Sequence, residues 1–211
     1  MTPYLSLDTA TRHASLAVGA PGAACLERAV EERSELSRGI ERLASLLLEQ
    51  AGVRRSDLAG VIVADGPGSF TGLRIGAAFA KGVCRALGIP LLTAPSLLGA
   101  ARAALEGPGT AVARYDALRG EVYQAVYTFA QDGAVSVLQA PALHPDVGAP
   151  LPPGAAVATE RHASAATLLR LVGVGGGVVA VGEASSWEPV YGRPAEAEAR
   201  LRREQARDPR A

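Results

Sequence analysis

Hydrophobic and polar positions change period several times along the first half of the chain, and each change marks an element. Residues 4–7 alternate into a strand that stops at Asp8-Thr9-Ala10-Thr11. Residues 14–18 form a second strand, Gly19-Ala20-Pro21-Gly22 is turn chemistry, and residues 23–30 form a third. Short links between three strands predict an antiparallel meander. The period then becomes helical. Leu36, Ile40, Leu43 and Leu47 form one stripe, with Ser34 placed to cap the helix and Gly52 to stop it. Residues 58–64 form a short apolar run bounded by turn residues, which predicts a buried strand. Residues 66–72 link it to a second helix over residues 73–87, ended by Gly88; a fifth strand over 90–93 and an alanine-rich helix from Ser96 to about residue 105 follow.

The order β-β-β-α-β-α-β-α predicts a mixed sheet covered by helices. It fits the ribonuclease-H-like half of actin-like ATPases better than a plain Rossmann sheet, which would begin β-α-β. Gly107-Pro108-Gly109 is a candidate boundary, dividing the chain into a larger lobe over residues 1–106 and a smaller one over 107–211. In the second lobe, residues 110–115 and 121–129 read as paired strands and Asp132-Gly133 as a tight turn. Residues 145–154 hold four prolines and read as loop, 160–172 as a helix, 177–181 as a last strand, and the tail from Trp187 as weakly structured.

Composition narrows the function classes. The 211 residues are 48% hydrophobic and 20% charged, which places the chain among globular proteins. Twenty-one basic and 21 acidic side chains cancel, so no long-range basic field steers it to nucleic acid. Cys25 and Cys84 make neither a disulfide framework nor a zinc spacing. The N-terminus lacks the basic start of a secretory signal, and the most apolar stretch, residues 171–182, is too short to span a bilayer. A cytoplasmic protein without membrane contact is expected.

Candidate chemistry centres on the glycine segment Gly66-Pro67-Gly68-Ser69-Phe70-Thr71-Gly72. It is not a Walker A loop, because no Gly-Lys-Ser/Thr completes it, and its glycine spacing misses the dinucleotide fingerprint by one residue. Between a strand and a helix it serves either as an anion cradle or as a tight turn that lets two elements approach closely. Asp8 heads a turn that in actin-like phosphotransferases reads Asp-x-Gly and meets phosphates; Ala10 in the glycine position limits how closely the backbone approaches. Asp8, Thr9, Gly68 and Ser69 are therefore the candidate nucleotide residues. Catalytic and metal sites are not expected. His13, His144 and His162 make no i, i+4 pair, no Gly-x-Ser-x-Gly elbow exists, and Asp116 with Glu121 around Arg119 reads as a salt-bridged turn. The second helix also carries small residues four apart, Gly72, Gly76, Ala80 and Cys84, which suit close packing of another helix, from this chain or from a partner.

Gly66-Pro67-Gly68-Ser69-Phe70-Thr71-Gly72-Leu73-Arg74-Ile75-Gly76, continuing to Lys81-Gly82 and Gly88-Ile89-Pro90, resembles the signature of the TsaB (YeaZ) family. Leu5-Ser6-Leu7-Asp8-Thr9, Asp116 to Tyr123, and Pro189-Val190-Tyr191-Gly192-Arg193 agree as well; residues 130–183 match loosely. Arg33-Ser34 stands where the family often has His-Ser, and Ser37-Arg38-Gly39 where it usually has a proline. The resemblance implies an α/β, actin-like ATPase (ribonuclease-H-like) fold of two lobes with a reduced second lobe. It also implies a non-catalytic subunit for tRNA N6-threonylcarbamoyladenosine formation. Such a subunit binds and activates the metal-bearing transferase TsaD, works with the ATPase TsaE, and meets tRNA indirectly through that complex; the donor is an adenylate made by a separate synthase. No obligatory cofactor is implied, with ATP or ADP at a subunit interface left open. Partner contact is expected through Leu36, Ile40, Leu43, Leu73, Gly76, Ala77 and Ala80, and self-association through the same patch when alone. The alternative is an independent actin-like ATPase or small-molecule kinase.

Overall fold

The computed structural model describes residues 2–30 and 33–192, with backbone alone for residues 33–35. The meander is β1 (Tyr4–Asp8), β2 (Ser15–Gly19) and β3 (Cys25–Ala29); α1 (Arg33–Gln50), β4 (Val61–Ala64), α2 (Phe70–Leu87), β5 (Leu91–Ala94) and α3 (Ser96–Ala103) follow. Helix α2 starts one turn earlier than its apolar stripe predicts, because Ser69 caps it through an Oγ that accepts from the Gly72 N–H. Gly88, at φ 66°, ends it in the left-handed conformation that favours glycine. The N-cap expected at Ser34 lies outside the described side chains, and Arg193 and the rest of the tail lie outside the described residues.

Four strands and a short helix make the second half: β6 (Gly109–Asp116), β7 (Glu121–Phe129), β8 (Val135–Pro145), β9 (Ala156–Thr159) and α4 (Ala165–Leu169). The last strand, β10 (Val179–Ala180), returns to the first sheet and pairs with β5. Strand order is β10-β5-β4-β1-β2-β3 in one sheet and β8-β7-β6-β9 in the other. In both, an antiparallel meander is followed by a strand running parallel to its first member, β4 beside β1 and β9 beside β6. The second sheet thus repeats the plan of the first with less covering it. The five residues of α4 follow β9 where the eighteen of α2 follow β4, and the proline-rich loop 146–155 replaces α1. That loop is tied down by Gln124 Nε2, which donates to the Pro150 carbonyl (3.1 Å), and by Arg114, which donates to the Asp146 carbonyl (2.8 Å).

Alternation along the strands of the first sheet divides the core. Leu5, Leu7, Val61 and Val63 face α1 and α2, where Leu36, Ile40, Leu43 and Leu47 complete the layer. Ala17, Ile62 and Ala64 face the other way, into a layer shared with α3, α4 and the inner residues Ala111, Ala113, Tyr115, Ala125 and Tyr127 of the second sheet. Ser6 and Asp8, in register with Ala17 and Ser15, look into this second layer, between the two sheets.

Two strands and one helix differ from expectation. Strand β8 is mostly exposed and contains Pro141 and Pro145, so it lacks the alternation that marks a half-buried strand; a bulge breaks its register. The four-residue β9 sits against the proline-rich stretch and is too short to show a period. The helix expected over 160–172 splits into a 3-10 turn, Glu160–His162, and α4, because Ser164 is extended at φ −157°.

Candidate functional site

In open α/β sheets, ligands bind outside the carboxyl ends of the parallel strands. Here the ends of β1, β4 and β5 bring together the Asp8–Thr11 turn, the glycine segment and Ser96. Asp8 is fully buried. Its Oδ1 accepts from the Ala10 N–H (3.1 Å), while Oδ2 finds no described partner. Burial pushes its carboxyl up to about 6; the Ala10 N–H pulls it down and the charge of Glu27 adds to the rise. Asp65, just after β4, is likewise pushed up to about 6, chiefly by burial, with the Thr93 hydroxyl opposing.

The glycine segment lies on the Asp8 turn. Ser69 N–H donates to the Ala10 carbonyl (2.6 Å). A Cβ on Gly68 would overlap that carbonyl, a Cβ on Gly72 the carbonyl oxygen of Thr9, and a Cβ on Gly76 the Thr9 hydroxyl. The N–H groups of Gly66, Gly72 and Leu73 are taken by Ser96 Oγ, Ser69 Oγ and the Ser69 carbonyl. The structure brings Asp8, Thr9, Gly68 and Ser69 together as expected, but in contact with one another. The absence of a Cβ at Gly68, Gly72 and Gly76 is what lets the two backbones approach this closely.

The small-residue stripe of α2 also faces inward. Gly76 is buried against Thr9, and Leu73, Ala77 and Ala80 are 1%, 5% and 0% exposed. Leu36, Ile40 and Leu43 of α1 are buried beside them in the layer beneath the sheet. This corrects the expectation that these seven residues form an open docking face, because they pack within their own chain. The outer side of α2 instead carries a second set four apart, Ala78, Gly82 and Ala86, all exposed, flanked by the half-buried Ile75, Phe79 and Val83. Sequence reading missed it because the two stripes are offset by two residues, about 200° around a helix, and spacing alone cannot say which faces the sheet. Between α1 and α2 this outer side dips into an apolar groove whose lining includes Ala44, Leu48, Leu58, Phe79, Val83 and Leu87.

A segment after β10 borders the same side. Glu188 pairs with Lys81 (3.1 Å) and accepts from the Tyr191 hydroxyl (3.1 Å), the Tyr191 ring lies 4.7 Å from that of Phe70, and Val190 N–H donates to the Asp65 carbonyl (2.7 Å). Other candidate chemistry has structural work. His162 Nδ1 accepts from the Thr159 N–H (3.0 Å), and Asp116 Oδ1 accepts from the Leu118 N–H (2.7 Å) in a turn where Leu118 and Arg119 are left-handed at φ 63° and 60°. Among the described residues no group of three or more His, Cys, Asp or Glu could hold a metal, and no helix is long and apolar enough to cross a membrane.

The paired meanders, each followed by a strand parallel to its first member, define an actin-like ATPase fold of the ribonuclease-H type with a reduced second sheet. The model of the family described as "TsaD: tRNA N6-adenosine threonylcarbamoyltransferase" matches residues 32–180. The chain belongs to this family, among its TsaB/YeaZ members. It is 31% identical over 131 residues to the tRNA threonylcarbamoyladenosine biosynthesis protein TsaB of Escherichia coli, covering 61% of this chain and 56% of that one. It is 37% identical over 83 residues to the Bacillus subtilis TsaB, covering 39% and 36%. The matches therefore span about a third to a half of these curated relatives. The solved structure of YeaZ from Pseudomonas aeruginosa superposes with a TM-score of 0.64 at 29% identity, covering 72% of this chain and 71% of that one. A second structure, described as similar to peptidase YEAZ from Pseudomonas aeruginosa, gives 0.75 at 24% identity over 92% and 100%.

Proposed function

We propose that this chain is a non-catalytic cytoplasmic subunit in tRNA N6-threonylcarbamoyladenosine formation, which binds and activates a TsaD-type transferase. The family match carries the reading. Two features of the site support it. The glycine segment packs its backbone directly on the Asp8 turn, and Ala10 stands where actin-like phosphotransferases carry the glycine of their phosphate turn. The outer side of α1 and α2 presents a flat small-residue row beside an apolar groove, which suits close packing of helices. A transferase of the same family brings a related fold, so the two chains can dock pseudo-symmetrically, helix pair on helix pair. A second copy of this chain would use the same surface when the transferase is absent and be displaced by it. TsaE and tRNA join through the transferase, and no nucleotide is obligatory for this chain.

Reconstitution tests the proposal. The transferase, the threonylcarbamoyl-adenylate donor and a tRNA reading codons that start with A are combined with and without this chain. Modification should be at least about tenfold faster with it, the scale of a typical coupling between sites. Equal rates, together with separate elution of the two proteins on gel filtration, would refute it. ATP turnover by the isolated chain, lost in Asp8→Asn, would favour an independent ATPase instead.

A further inference from the structure

Helix α2 carries bases but no acid between Phe70 and Leu87, and those bases fall in one line. At about 100° per residue, Arg74, Lys81 and Arg85 lie within about 40° of one another around the helix, over about 16 Å of its length. Arg74 and Arg85 are exposed and Lys81 is half-buried. The line borders the exposed row Ala78, Gly82 and Ala86 on the edge away from the groove, because Phe79 and Val83 turn the other edge toward α1.

The surroundings leave this line positive. Among the described residues, neither Arg74 nor Arg85 has an ion pair or a hydrogen bond; Arg74 lies over the Phe70 ring, 5.2 Å from its centroid. One acid of the chain already sits on the line. Lys81 Nζ donates to Glu188 Oε1 (3.1 Å), and that bond, helped by the charge of Arg74, holds the Glu188 carboxyl below the ordinary carboxylate range. The Glu188 side chain is 66% exposed, so an incoming carboxylate can compete with it for Lys81.

Given the docking face proposed above, on which this inference rests, we propose that the line Arg74–Lys81–Arg85 selects the occupant of that face. It receives a row of acidic side chains on the transferase helix that packs over Ala78, Gly82 and Ala86, and it disfavours a second copy of this chain. Charge separates the two occupants. A second copy presents either its own α2, with the same three bases, or its α1. Among the described side chains of α1, the exposed acids Glu41 and Glu49 are matched by the exposed Arg38 and Arg42, and Glu41 is already paired with Arg55 (2.9 Å). Neither helix of a second copy brings net negative charge, and like charges set against each other across an interface cost affinity. An acidic partner helix neutralises the line and takes Lys81 from Glu188.

Analytical ultracentrifugation of the full chain, alone and with the transferase, reads the selection at low and moderate salt. In the unaltered chain, transferase affinity should fall about tenfold between roughly 50 and 300 mM salt, while self-association holds or tightens. Arg74→Glu and Arg85→Glu should each weaken transferase binding about three- to tenfold at low salt, flatten its salt dependence, and tighten self-association about threefold. Gly82→Arg should weaken both associations. If it does so while both Glu variants keep parental affinities, the charge proposal is overturned and the docking face stands; parental affinities in all three variants overturn both. Glu variants that weaken the two associations alike also overturn the selection. Arg85 is the base of the last helical turn, so if Arg85→Glu folds poorly, Arg74→Glu decides, nearer the N-terminal end where an acid suits the helix.

Discussion

Gly72→Ala should cost about 3 kcal/mol or more and lower the melting temperature by roughly 6–12 °C, although it adds a single methyl group. The added Cβ would overlap the carbonyl oxygen of Thr9, and both partners are backbone, in a helix on one side and a strand-end turn on the other. Neither can move without shifting α2 from the sheet or breaking the Ser69 contact with Ala10. Gly76→Ala should cost less, because the group it meets is the Thr9 hydroxyl, the end of a side chain. Gly82→Ala on the same helix has nothing within 4 Å and should be neutral or gain up to about 1 kcal/mol from helix propensity. Thermal melts of the three variants check the ordering, and a Gly72→Ala protein that melts with the parent would disprove the tight contact. Gly76→Leu and Ala80→Leu belong to the same inward face and should act on folding first.

Gly82→Arg and Ala78→Glu should do the reverse, leaving the melt within a few degrees of the parent and weakening association with the transferase by about thirtyfold or more. Both positions are exposed in the second small-residue row, where a long charged side chain holds a neighbouring helix away. Thirtyfold corresponds to about 2 kcal/mol, the scale of a central interface residue. Titration calorimetry of each variant against the transferase measures it. Full affinity in both variants would move the interface off α2. The two predictions separate the sides of one helix: substitutions on the inner side should act on folding, and those on the outer side on the proposed partner contact.

Much of the first sheet was legible because its signals are local. The alternation of residues 4–7, the Leu36–Ile40–Leu43–Leu47 stripe and the glycine segment each point to one element, and the element order selects the fold. What was lost depends on neighbours far away in sequence. Strand β8 forms because β7 offers it an edge, even though its own residues are exposed and interrupted by proline. The facing of α2 follows from the Asp8 turn, which fills the space against Gly72 and Gly76; spacing supplied two rows and no way to choose between them. Glu27 reads as an ordinary polar residue on an exposed strand, and its role appears only when Ser164 arrives beside it. Asp8 heads the turn that its sequence position marks out, and its Oδ1 caps that turn by accepting from the Ala10 N–H.

Docking through the outer side of α1 and α2 is the central claim, and hydrogen exchange on the chain mixed with its transferase tests it most directly. Amides of α2 around residues 78–86 and the facing turns of α1 should gain protection on mixing, while those of Ala10, Gly68 and Ser69, where the two turns already pack on each other, should change little. Protection that appears instead at those turns, with the outer faces of both helices unaffected, would contradict the account.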